Sequence, residues 1–474
     1  MKKLKIRSHF VPWALLFLTV LFAGALLAAT QDPTKPTQQK PQEEEEPVAI
    51  TERSAPAPTI QPQEVTPDQF ANFRSPLVNA AGEIAVFGLH LQPDEPNRSG
   101  QRLYLRTLDG NWQPLLRQGE ETIDTHLKLV ELTKPALSNR KEATFVAQFK
   151  STNEKEQVLE PTLDPNDPAY YRPPAPSLGI FRKTAEGIRT VLVLGGEVPN
   201  MPSTLAGVSN LSANDKGTTA FIGTYVEPDG RGLFYHDNEK LRIIVRSGQK
   251  IGPNETSTFS EHYYPSDINE QDEVAFLGRT GEKSGIFLAG PQGVQIIALS
   301  GRLSPIKGAK FIGFGNRTPG INNKGEIVFV GFFDGPQAGR ALFVKPPGGP
   351  VRMVLRSGQT VAGTTYNFTD FNSVGINDQG EILFIATYGG RTRGIFLKTA
   401  KGVETIALAN QPIPGGTREE AYNNFTQPAF NSRGDIVFYS QWRTPKTGID
   451  VGVFWRDLKG EVKLLFKRGD LMPK

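Results

Sequence analysis

The chain has 474 residues, with 48 Gly, 37 Pro and no Cys. The absence of Cys removes disulfides, thiolate catalysis and Cys-ligated zinc together, and a chain of this length builds a core large enough to do without disulfides. The net charge of +4 comes from Lys2, Lys3, Lys5 and Arg7 at the start; the remaining 49 basic residues face 49 acidic ones, which argues against general nucleic-acid binding, since that relies on a Lys/Arg surplus.

Residues 1–30 read as a signal peptide or an N-terminal membrane anchor. A basic start precedes the apolar run Val11–Ala29, and small residues at Ala23–Ala25 and Ala28–Ala29 suit a signal peptidase. The run is longer than the roughly 7–15 residues of a signal-peptide core and close to the roughly 20 that span a bilayer, so cleavage and retention both stay open. The basic flank stays in the cytoplasm in either case. The rest is expected to be periplasmic, at the cell surface or secreted, with a membrane contact only through residues 10–29 if they are retained. Residues 31–47 (QDPTKPTQQKPQEEEEP) are polar and Pro-rich, too poor in apolar groups to offset their ordering entropy, and are expected to be a disordered linker.

Residues 48–474 carry a repeat. Seven copies of one eleven-residue pattern start at Val78 (VNAAGEIAVFG), Leu137 (LSNRKEATFVA, a worn copy), Ala213 (ANDKGTTAFIG), Ile268 (INEQDEVAFLG), Ile321 (INNKGEIVFVG), Ile376 (INDQGEILFIA) and Phe430 (FNSRGDIVFYS). Each reads as a turn followed by a strand. The turn residues Asn79, Asn214, Asn269, Asn322, Asn377 and Asn431 can bond the local backbone, and Gly82, Gly217, Gly325, Gly380 and Gly434 suit the left-handed position that closes a hairpin. The unbroken apolar runs that follow, such as Ile327–Val330, predict strands buried on both faces.

The spacing completes the pattern. The anchors at 79, 138, 214, 269, 322, 377 and 431 lie 53 to 59 residues apart, except for 76 between the second and third. A second strand follows each anchor (Gly285-Ile286-Phe287, Gly394-Ile395-Phe396), then a third ending in a turn (Ile243–Gly248, Met353–Gly358), and a fourth, often F-x-x-F, precedes the next anchor (Phe70/Phe73, Phe311/Phe314, Phe368/Phe371). Four short strands per period predict an all-β, seven-bladed propeller, whose closure removes exposed sheet edges. Val48–Pro58 resembles a blade-ending strand, and so does Leu464–Gly469. One of the two is surplus, and the C-terminal one is assigned to blade seven.

The repeated Asn-x-x-Gly-x-x-(Ala/Val)-Phe, matched in full by Asn214–Phe221, resembles the bacterial choice-of-anchor tandem repeat proteins named for NxxGxxAF. The resemblance covers residues 48–474. It implies a secreted or surface-held repeat protein of unknown function and brings no catalytic residues. The C-terminal sorting tail common in that family has no counterpart at Leu471–Lys474, so anchoring would fall to the N-terminal segment.

Chemistry is sparse. His9, His90, His126, His236 and His262 show no i, i+4 pair and no H-E-x-x-H, and neither a G-x-S-x-G elbow nor a phosphate-binding loop occurs. No metal or cofactor is expected, and the protein leans away from being an enzyme. An acid follows the turn Gly position in six copies (Glu83, Glu142, Glu273, Glu326, Glu381, Asp435); repetition in nearly every blade points to a structural role. Arg246–Gln249 and Arg356–Gln359 read as a structural turn for the same reason. Blade two carries an acidic insertion between Lys150 and Leu178 in which Tyr170 and Tyr171 follow the acids, and insertions in repeat arrays often map to the binding face. Its Asp164–Asp167 segment offers oxygens for calcium but lacks the EF-hand spacing. Tyr170, Tyr171, His262, Tyr263 and Trp442 break the repeat and are the candidate binding residues, because loop aromatics can stack on sugars or peptides. The expectation is a monomeric, exported scaffold that binds a protein or glycan ligand; a polysaccharide hydrolase or lyase and a structural surface component are the alternatives.

Overall fold

The apolar run after each anchor is the second strand of an antiparallel sheet, and there are seven such sheets. The structure, a computed structural model, describes residues 66–473 apart from 67, 75, 92–98, 134, 152–176, 227–228, 253–254, 261–262, 316, 427 and 446–447. Blade three has strands Thr204–Ala213, Thr219–Val226, Gly230–His236 and Leu241–Arg246, hydrogen-bonded in sequence order. Blade six repeats this with Phe368–Ile376, Ile382–Tyr388, Thr392–Thr399 and Gly402–Leu408. In blades one, two, five and seven the first strand is broken, and the piece beside the anchor pairs separately. The fold is a seven-bladed β-propeller. The F-x-x-F segments open their blades as first strands. The expected export segment (residues 1–30), the expected linker (31–47) and Val48–Pro58 lie outside the described residues.

Burial follows the pattern of the sequence. Ile327, Val328, Phe329 and Val330 are all buried, as are Val274–Leu277 and Ile436–Tyr439. Because neighbouring blades cover both faces of these strands, apolar side chains do not alternate with polar ones. Facing aromatics join the second and third strands at one register position: Phe221–Phe234, Phe276–Phe287, Phe329–Phe343, Phe384–Phe396 and Phe438–Phe454 stack with centroids 5.2 to 5.6 Å apart. Such cross-strand pairs contribute about 0.2–1 kcal/mol each over an Ala pair.

The anchor turn is a three-residue hairpin loop. The Asn322 N–H donates to Glu326 O at 3.2 Å and the Gly325 N–H to Asn322 O at 3.0 Å. Gly325 closes the loop at φ 75°, and the two copies without a turn Gly place Lys141 and Asp272 in the same left-handed region at 64° and 60°.

Ring closure repeats the contact between blades. At the junction of blades five and six the Gly358 N–H donates to Phe368 O and the Phe368 N–H to Gln359 O, both at 2.9 Å. Between blades seven and one the Gly469 N–H donates to Phe70 O and the Phe70 N–H to Asp470 O, also at 2.9 Å. The fourth strand of blade seven is Val462–Lys467, so the C-terminal strand belongs to that blade. Among the described residues, no strand from the start of the chain is inserted into the last sheet.

Candidate functional site

The anchor turns show where most of the repeated polar chemistry goes. Each anchor Asn folds its Oδ1 onto its own turn: in blade five it accepts from the N–H groups of Lys324 and Glu326 at 3.1 and 2.9 Å. Its Nδ2 then reaches the next blade. Asn214 donates to Asn269 O (3.0 Å), Asn269 to Asn322 O (3.2 Å), Asn322 to Asn377 O (2.8 Å), Asn377 to Asn431 O (3.2 Å), Asn431 to Asn79 O (2.9 Å) and Asn79 to Ser138 O (3.2 Å). Bonds of this length run round the whole molecule only if the anchors line the axis, so the first strands are the inner ones. The missing link is at Ser138, which has no amide to offer Asn214. There Arg182 bridges the two blades instead, donating from Nε to Thr144 Oγ1 (3.2 Å), from Nη1 to Asn238 Oδ1 (2.8 Å) and from Nη2 to Gly217 O (2.5 Å).

A second ring lies one residue further on. The N–H groups of Ala80, Asn139, Asp215, Glu270, Asn323 and Asp378 each donate to the side chain of the equivalent residue in the next blade, at 2.7 to 3.0 Å. It is interrupted where Ser432 meets Ala80, which has no side-chain acceptor. The acids after the turn position are occupied as well: Glu83, Glu273, Glu326, Glu381 and Asp435 accept from the anchor amides of their own turns at 2.8 to 3.1 Å. These groups are bonded to the ring, and among the described residues no group of three or more His, Asp or Glu comes together that could hold a metal ion.

The other end of the ring is unequal from blade to blade. First strands run from the blade junctions to the anchors, so the junction turns and the connections between second and third strands lie opposite the anchor turns. At this end blades six and seven share one bond from a guanidinium to an uncharged acceptor, Arg393 Nη1 to Asn424 Oδ1 at 3.2 Å. One blade earlier, the equivalent positions are Arg340 and Asp370, and a further arginine is added. Arg317 Nη2 donates to Asp370 Oδ2 at 2.6 Å and to Asn372 Oδ1 at 3.4 Å, while Arg340 Nη1 lies 2.9 Å from the same Oδ2. Both guanidiniums sit over Phe332, 5.4 and 5.2 Å from the ring centroid. The Arg317 side chain is 19% exposed and that of Arg340 46%. Burial pushes the Arg317 pKa down; the Asp370 charge opposes this and the Arg340 charge adds to it.

The aromatics singled out from the sequence are placed differently from expectation. Tyr263 is only 4% exposed and packs against Phe259 and Phe276, 6.0 and 6.1 Å between centroids. It pairs with Gly278 in the register that Phe371 takes with Ala386, so it fills the place of the second F-x-x-F aromatic, within strand Tyr263–Pro265, and is not a loop residue. Trp442 is 1% exposed, lies within strand Ile436–Thr444 and packs edge-on against Phe454. Neither ring is available for stacking on a ligand. Tyr170, Tyr171 and His262 lie outside the described residues. The arginine pair carried no sequence motif; the one available signal was an Asp at the position held by Asn72 and Asn424 in other blades.

Comparison with known proteins gives a family without an activity. A family model described as a family of unknown function (DUF7453) matches residues 19–161 and 171–473. The chain belongs to this family. The match to DUF7453 is interrupted between residues 161 and 171, inside the blade-two connection. No curated protein matches the chain. Among solved structures, the β-propeller domain of the Trilobed protease from Pyrococcus furiosus is similar at 11% identity and TM-score 0.45, over 85% of this chain and 100% of that one. A lectin from Aleuria aurantia, in complex with Fucalpha1-6GlcNAc, gives 10% identity and TM-score 0.30 over 74% and 99%. Prolyl oligopeptidase B from Galerina marginata gives 12% and 0.45 over 85% and 52%.

Proposed function

We propose that the protein is an exported binding scaffold of the bacterial envelope or exterior, which presents a ligand site on the face opposite the anchor turns. The observation that carries this reading is the contrast between the two ends: the repeated polar groups at the anchors are bonded to one another, whereas at the junction end Asp370 takes two arginines where the next blade places one arginine on an amide. The connection that holds the blade-two insertion leaves strand Ala143–Ser151 and enters Ser177–Lys183 at this same end. The basic, apolar leader and the resemblance to choice-of-anchor repeats support export. Fold alone does not decide, since propellers host many functions.

A glycan and peptide array probed with the full chain in mild detergent, with binding and product formation followed in the same wells, tests this. Saturable binding without turnover is expected. Product formation would replace the scaffold with an enzyme, and the blade-two acids and His262 would then be examined first.

A further inference from the structure

We propose that Arg317 and Arg340 form a site for the carboxylate of a ligand at the junction of blades five and six. This rests on the scaffold reading and names the chemistry its ligand would carry. The same register one blade on carries a smaller contact: a single guanidinium on an amide oxygen, Arg393 on Asn424. Blades five and six have that contact already in Arg340 and Asp370. Arg317 is therefore surplus to the tie. It also brings a second positive charge to one carboxylate oxygen, which leaves the cluster one charge in excess.

The surplus is held ready for use. Phe332 supports both guanidiniums from one side, and Asp370 with Asn372 fixes Arg317 from another. The contacts made use Nη2 of Arg317 and Nη1 of Arg340, so donors on both forks have no partner among the described residues. Arg340 is exposed enough for a ligand oxygen to reach, and the ordering cost of Arg317 is met before the ligand arrives. A planar fork with two parallel N–H groups matches a carboxylate, and one excess charge balances a monoanion better than a phosphate dianion.

The test is calorimetric titration of the full chain in mild detergent, at low salt, with trigalacturonate. An Asp/Glu-rich peptide in a parallel arm distinguishes a sugar from a protein source of the carboxylate. Maltotriose and inorganic phosphate are the controls. Saturable binding is expected for one carboxylate probe, weaker by roughly tenfold or more in Arg317→Gln and in Arg340→Gln, and unchanged in Arg393→Gln. Asp370→Asn separates a site from a structural tie: it frees both guanidiniums from their internal competitor, so affinity should rise several-fold although stability falls. Three results would overturn the proposal: no saturable binding of either carboxylate probe, phosphate bound as tightly as the carboxylate, or an Arg317→Gln variant that loses stability and keeps its affinity. An array hit on a neutral ligand, bound equally by Arg317→Gln, would overturn it while leaving the scaffold reading intact.

Discussion

Blades five and six meet twice, and the two contacts follow different rules. At the anchor end Asn322 donates to the Asn377 carbonyl, and six of the seven blades do the same. At the junction end Asp370 takes two arginines, which no other blade is seen to do among the described residues. A contact made by nearly every blade serves the ring, because closure needs each interface to be alike. A contact made by one blade that replaces no missing ring link, as at Asp370, is free to serve a ligand. Substitutions should therefore act on stability at the anchor end and on binding at the junction end.

Deleting Lys463–Lys474 removes most of the fourth strand of blade seven and the Gly469–Phe70 and Phe70–Asp470 bonds that close the ring. It also exposes blade-one and blade-seven core residues, including Phe70 and Phe73, which pack on Phe466 at 5.0 and 6.4 Å. Loss of cooperative unfolding and rapid proteolysis are expected. A truncated chain that still melts in one sharp transition would mean that closure is not needed for the remaining blades.

Within the ring, Asn322→Ala should cost about 2–4 kcal/mol, because it strips a buried carbonyl of its donor and leaves Glu326 and the turn N–H groups short of partners. Asn323→Ala, one residue on and exposed, should cost about 1 kcal/mol or less. Urea titrations of both variants measure the difference, and equal costs would show that the axial ring of amides has no special weight.

The ring was legible in the sequence because its geometry favours particular residues: an amide to reach two blades at once, a left-handed residue to close the turn, and in most blades an aromatic pair to fill the space between strands. Lys141 and Asp272 in the left-handed position show that the demand is strong without being absolute. The arginine site was not legible. Arg317, Arg340 and Asp370 lie on two blades and become neighbours only through blade packing, and no local rule relates them. Tyr263 and Trp442 misled for the opposite reason. They look like departures from the repeat, yet large aromatic side chains satisfy the same buried positions as Phe, so variation in kind was not variation in place.

The broken link at Ser138 allows a gain to be tested instead of a loss. Ser138→Asn supplies the missing amide, and its own turn already offers the N–H groups of Arg140 and Glu142, which now donate to the Ser138 hydroxyl at 3.2 Å. A gain of about 0.5–1.5 kcal/mol is expected. If Arg182 stands in for that amide, Arg182→Gln should destabilise the wild type more than it does the Ser138→Asn protein. A double-mutant cycle in urea gives the coupling directly, and strict additivity would separate Arg182 from the ring.

The smallest effect concerns pH. His236, buried at the anchor end of blade three, has its pKa lowered chiefly by burial; Asp237 pulls it back up and Arg182 adds to the lowering. The folded protein thus resists a proton that the unfolded chain accepts near its ordinary value of 6.5. Stability from this residue is full above that value and falls as pH drops through 6.5 towards the depressed folded pKa, since the unfolded state then binds the extra proton. His90 contributes in the same direction, again through burial. Melting curves between pH 7.5 and about pH 5 should therefore show a decline that is shallower in His236→Gln. Because Arg182 is one cause of the shift, Arg182→Gln should raise the His236 pKa, visible in the imidazole proton resonances. A His236 that titrates identically in both proteins would show that the guanidinium bridging blades two and three acts on the ring alone and is not felt by its charged neighbour.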